Sequence, residues 1–119
     1  MKKPFLIGTL FLVLLNCAVL APHVLRESSV KIEPNQSKDD VLAILGTPKN
    51  RQFEGNNEAW QYCETSYTSS AGDDYLTVWF FKGTVTGITT YKNHNYGSCE
   101  SFFKTIRWED APKIIIENR

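Results

Sequence analysis

The sequence has no surplus charge of either sign, because its 13 lysines and arginines balance 13 aspartates and glutamates. Nucleic-acid binding needs a basic face for the phosphates, so composition gives no support for such a partner. Histidine is scarce: His23 and His94 are the only two. Neither lies at a recognisable spacing from a nucleophile and an orienting acid, and no CxxC pair or phosphate-cradling glycine loop is present. Asp73 and Asp74 form an adjacent acidic pair in a serine- and glycine-rich stretch, a pattern that is ordinarily just solvated. No catalytic residue, metal or cofactor is therefore expected. Internal repeats and low-complexity tracts are also missing, and 119 residues leave room for one domain.

What is present begins at the N-terminus. Lys2 and Lys3 precede an almost wholly apolar run over residues 5–15. A positive start followed by an apolar stretch is the pattern of a secretory signal peptide. Even counted to Leu20 the stretch offers about 16 apolar residues, short of a comfortable helical span. Residues 1–16 thus read as a leader, 17–29 as a tether and 30–119 as a folded domain. The string Leu14-Leu15-Asn16-Cys17 resembles a bacterial lipobox, in which the chain is cut before a cysteine that then carries lipid. Asn16 departs from the small residue usual before the cut. The other reading makes Cys17 an apolar leader residue, in a cleaved signal or a retained anchor.

Cysteine arithmetic bears on that choice, because Cys17, Cys63 and Cys99 are an odd number. If Cys63 and Cys99 pair in an oxidising compartment, Cys17 is left over, and lipidation accounts for it. The bridge would close a loop of about 37 residues, removing roughly 3–4 kcal/mol of unfolded-state freedom in the chain-entropy model. The rival is a metal site or a Cys/His nucleophile using His94, for which no second histidine lies nearby.

Within the domain, Ser37 is a good helix N-cap and Asp40 stands three residues on, in capping-box spacing. The pattern predicts a helix over residues 38–45, with Val41, Ile44 and Leu45 on one face, ended by Gly46 and Pro48. Before it, residues 28–32 suit a short strand or extended entry segment. Residues 58–65 read as a strand with Trp60 and Tyr62 on one face and Gln61 and Cys63 on the other. Residues 66–74 read as a flexible loop. Residues 75–81 are the strongest strand, apolar on both faces, and Lys82-Gly83 turns the chain into a third β-rich run over 84–91. Three antiparallel strands with a helix across one face make an α+β layer arrangement. Ser98 is placed to cap a short helical turn carrying Phe102, Phe103 and Ile106. The terminal residues 113–119 are β-prone and either pair at a sheet edge or stay mobile.

Residues 32–48 resemble the signature of the small protein A/BamE family of bacterial outer-membrane lipoproteins, with Ile32, Ser37, Val41, Leu45, Gly46 and Pro48 in register. Trp60-Gln61-Tyr62 looks like that family's Trp-x-Tyr strand, and residues 76–85 like its hydrophobic strand and glycine turn. Asn35 and Gln36 replace the usual glycine and methionine, and asparagine retains access to a left-handed turn. The resemblance spans residues 30–91 and implies a BamE-like α+β domain with a disulfide-linked C-terminal extension. It also implies a non-enzymatic envelope lipoprotein, a binding or scaffolding module related to outer-membrane β-barrel assembly factors. Its place would be the periplasmic face of the outer membrane or the periplasm, its partner an envelope protein such as the barrel-assembly machinery. The expected contact residues are the aromatics Tyr67, Tyr75, Trp79, Tyr91 and Tyr96; the competing reading puts Trp79 and its face-mates in a core beneath the C-terminal tail. The alternative function is a secreted or periplasmic inhibitor that binds another protein through an aromatic sheet surface, as β-lactamase-blocking proteins of that fold do.

Overall fold

A computed structural model describes residues 24–66 and 72–113. Cys17, Tyr67 and the terminal residues 114–119 lie outside that range. The expected helix is α2, Lys38–Leu45: the Ser37 hydroxyl accepts from the Asp40 amide, and the Asp40 carboxylate accepts from the Ser37 amide. Two of the free amides at the helix start are thereby satisfied. Gly46, at φ 78°, ends it with its N–H on the Leu42 carbonyl. Asn35 takes a left-handed conformation, φ 73°, as the turn before the helix requires.

Four antiparallel strands follow in the order β1 (Asn50–Glu54), β2 (Asn57–Glu64), β3 (Asp73–Phe81) and β4 (Thr84–Asn93). Three strands were expected, and β1 is the addition. It pairs with β2 through a tight turn at Gly55-Asn56, where Gly55 supplies φ 60°. β1 is polar and carries no period-2 alternation of buried residues, so hydrophobic pattern does not disclose it. The β3–β4 turn has positive φ at both Lys82 and Gly83, as a type I′ hairpin needs. A bulge at Trp79/Phe80 shifts the β4 register.

The inner part of the expected tether is also folded. Val24–Ser29 forms the short helix α1, where an extended entry was expected from Ser28 onward. Six residues cannot hold a helix by themselves. Distant partners hold this one: the Leu25 amide donates to the Glu64 carboxylate at 2.9 Å, Arg26 pairs with Asp74, and Leu25 packs on the core.

The sheet has two covered faces. On the helix face, Trp60, Tyr62, Leu76, Val78, Phe80 and Val85 meet Ile32 and Val41, with Leu25, Ile44 and Leu45 packed around them. Each fully buried aliphatic or aromatic side chain here contributes about 1.5–3 kcal/mol. Glu58 sits at the rim of this layer, 3% exposed, accepting from the Trp60 indole at 2.8 Å and from Lys38 at 2.9 Å, with Arg51 at 3.4 Å. One carboxylate thus ties α2, β1 and β2 together. The opposite face is crossed by residues 99–113, which run without strand structure through two short 3₁₀ turns, Cys99–Phe102 and Trp108–Asp110. The Ser98 hydroxyl caps the first of these, as its sequence position suggests.

Candidate functional site

The face under residues 99–113, the strap, gathers most of the unusual chemistry. Its strand positions align in three cross-strand rows: Cys63–Tyr75–Tyr91, Gln61–Thr77–Thr89 and Ala59–Trp79–Gly87. The outer rows are aromatic and prop up the strap. In the first, Tyr75 stacks on Tyr91 at 4.7 Å and meets the edge of Phe103 at 5.7 Å. In the last, Trp79 meets Trp108 edge-on at 6.1 Å, and Pro112 lies so close to Gly87 that a Cβ there would stand 2.8 Å from its Cγ. The middle row is polar, with Gln61 and Thr77 buried and Thr89 exposed, and the half-buried Ile106 of the strap lines the space above it. What results is a cleft of about 590 Å³ between sheet and strap, bordered by Thr77, Thr89, Lys104, Arg107 and Asp110.

Cys63 and Cys99 are bonded, with their Cα atoms 6.1 Å apart and a sequence separation of 36. That bridge ties the first row of the sheet to the start of the strap. Four hydrogen bonds assist it. The Cys99 amide donates to Thr65, the Tyr75 hydroxyl to the Cys99 carbonyl, the Lys104 amide to the Tyr91 hydroxyl, and the Gln61 side-chain amide to the Lys104 carbonyl. Burial pushes the hydroxyls of Tyr75 and Tyr91 above the ordinary tyrosine range; Asn95 donates to the first and Lys104 to the second, in part offsetting this. The Gln61 amide is oriented by Lys104, and its Oε1 is left buried with no hydrogen-bond partner among the described residues. Asp73 is buried on the same face, its Oδ1 accepting from the Ser66 amide.

These positions redistribute the expected contact residues. Tyr75 and Trp79 are 1% and 4% exposed, so the core reading holds for them and they are no part of the outer surface while the strap is seated. The physical reason is the strap itself, an aperiodic segment whose covering role leaves no pattern. Tyr91 is half-buried against Tyr75, with the Lys104 ammonium 4.6 Å above its ring. Tyr96 stands fully exposed. Sequence reasoning missed Phe53, which is 62% exposed on β1 with the Arg51 guanidinium 5.4 Å from its ring. It also missed Gln61 and Glu58, whose burial follows from neighbours far along the chain. Among the described residues, no three or more His, Cys, Asp or Glu side chains group as metal ligands, and no helix is long and apolar enough to cross a membrane.

No family model matches the chain, and neither the curated proteins nor the solved structures contain a match. The class of protein that the architecture defines is a four-stranded antiparallel α+β domain with helices on one face and a disulfide-bound strap on the other.

Proposed function

We propose that this chain is a non-enzymatic lipoprotein of the bacterial cell envelope, a binding or scaffolding module related to outer-membrane β-barrel assembly factors. In this reading residues 1–16 are the leader and Cys17 carries the lipid. The observation that carries it is the Cys63–Cys99 bond, which suits an oxidising compartment and leaves Cys17 as the third, unassigned cysteine directly behind the leader. The resemblance of residues 32–48 to the small protein A/BamE signature supports the same reading. Partner contact then falls to side chains outside the strapped face, with Tyr96 and Phe53, the latter beside Arg51, the most exposed aromatics among the described residues.

Mass spectrometry of the mature N-terminus, compared with Cys17→Ser, tests the anchor: an added diacylglyceryl mass that the variant lacks is expected. An unmodified Cys17 sinks it. Crosslinking in intact cells followed by affinity capture tests the role. Barrel-assembly subunits are the expected catch, and their absence from a capture that recovers other envelope proteins counts against that assignment.

A further inference from the structure

We propose that residues 99–113 are a releasable strap whose seating depends on the Cys63–Cys99 bond, and that reduction of this bond opens the sheet face to an extended, aromatic-bearing segment of another protein. The two faces of the sheet are unequal in what holds them. The helix-face cluster of Ile32, Val41, Trp60, Tyr62, Leu76, Val78, Phe80 and Val85 contains no strap residue. Among residues 99–113, only Cys99 is buried. Local opening free energies follow such differences in buried contact. The strap can therefore leave while the helix-face core stays intact.

The seated strap also carries a built-in penalty. It covers Gln61, whose Oε1 is buried with no hydrogen-bond partner among the described residues, and it leaves a cleft of about 590 Å³ between itself and the sheet. A buried acceptor left unpaired is costly, and opening would return it to water. Four hydrogen bonds and the contacts of Phe103 with Tyr75 and Trp108 with Trp79 oppose this, and the covalent bond adds to them. It pins the first strap residue to β2, where without it the strap would be tied to the sheet covalently only through the short connection from the end of β4 at Asn93.

The reductant is a dithiol, the chemical class of a CxxC protein or dithiothreitol. Cys63 is the more exposed partner, half-buried where Cys99 is buried. A thiolate of the dithiol attacks the Cys63 sulfur, forming a mixed disulfide and releasing Cys99 as thiolate. The second thiol of the dithiol, losing its proton, then attacks its own mixed disulfide and releases Cys63. The chain gains two electrons and two protons, and the dithiol becomes a disulfide.

The strap shows what the opened face accepts. Phe103 meets Tyr75, Trp108 meets Trp79, Pro112 sits on Gly87, and the backbone N–H and C=O of Lys104 are bonded by Tyr91 and Gln61. The fitting partner is thus an extended segment with two aromatic side chains at that spacing and a free peptide group between them. The inference is independent of the lipoprotein reading, because neither lipid nor assembly machinery enters it.

Hydrogen exchange of the purified protein, bridge intact or reduced with dithiothreitol, tests the release. Upon reduction, the hydrogen-bonded strap amides, that of Lys104 above all, should lose protection by at least about tenfold, while amides of β2 and β3 hold theirs. The Cys63→Ser/Cys99→Ser variant should show the reduced pattern without reductant. A labelled peptide copying residues 100–113 should bind the reduced protein and the variant but not the bridged form, and lose binding when its copies of Phe103 and Trp108 are alanine. Unchanged strap protection upon reduction overturns the proposal, and so does loss of protection across the whole sheet in one step. A peptide that ignores the opened protein overturns the docking half.

Discussion

Gly87→Ala is a perturbation whose sign depends on the strap. Gly87 lies in β4 opposite Trp79, on the strapped face. Its φ lies outside the left-handed region, so alanine meets no backbone strain there. In an open strand position alanine is better than glycine by about 0.5–1 kcal/mol, because less chain entropy is lost on folding. With the strap seated, the new Cβ would stand 2.8 Å from Pro112 Cγ and 3.4 Å from Pro112 Cβ. The proline ring can give way only by changing its pucker, and Pro112 Cβ is fixed to the strap backbone, so the strap must also shift. Overpacking of this kind costs about 1–3 kcal/mol. The net expectation is destabilisation of the bridged protein by about 0.5–2 kcal/mol, and stabilisation of the reduced protein by about 0.5–1 kcal/mol. The assay is urea unfolding of parent and variant, each bridged and reduced, read as midpoint shifts at constant slope. A variant that stabilises the bridged form refutes the placement of Pro112 over β4, and one that destabilises both redox forms alike refutes release of the strap on reduction.

Glu58→Ala should cost about 2–4 kcal/mol in the same assay, chiefly because the buried Trp60 indole loses its acceptor. The losses to Lys38 and Arg51 are small, since both cations are well exposed, and Glu58→Gln, which keeps an acceptor for the indole, should cost less than half as much. Lys82→Asn should stabilise by about 0.5–1 kcal/mol, because Lys82 holds φ 50° in the hairpin turn and asparagine tolerates that region better. Burial raises the hydroxyls of Tyr62, Tyr75 and Tyr91 above their ordinary value. Each therefore contributes stability that is full below about pH 10 and is lost as pH rises through the folded value, so denaturation midpoints should fall above about pH 10. Tyr62→Phe should flatten that alkaline slope while costing about 1 kcal/mol at pH 7 through loss of its bond to the Gly46 carbonyl.

What could be read from the sequence divides along the range of the interactions involved. Helix α2 was legible because its determinants, Ser37, Asp40, Val41 and Gly46, lie within ten positions and act on one another. Strands β2 to β4 were legible because side-chain alternation and the Lys82-Gly83 turn are local. Helix α1 was not, since its acceptor Glu64 and its counter-ion Asp74 lie 39 or more residues away. Strand β1 was hidden by its polarity, although the Gly55-Asn56 pair marks its hairpin turn. The candidate site shows the same division most sharply. The alternation in β3 revealed that Tyr75 and Trp79 share a face, but an aromatic face is equally suited to a partner or to an internal cover. What decides between them is the aperiodic stretch after Ser98, and only the odd cysteine count hinted that it folds back. Gln61 shows the consequence: its place in the Trp-x-Tyr strand marks it as a strand residue, yet its unpaired carbonyl is produced by the strap, 43 residues further on. The segment that closes this face buries little of itself and is held by four hydrogen bonds, two aromatic contacts and one covalent bond, of which only the last can be removed by a change of redox state.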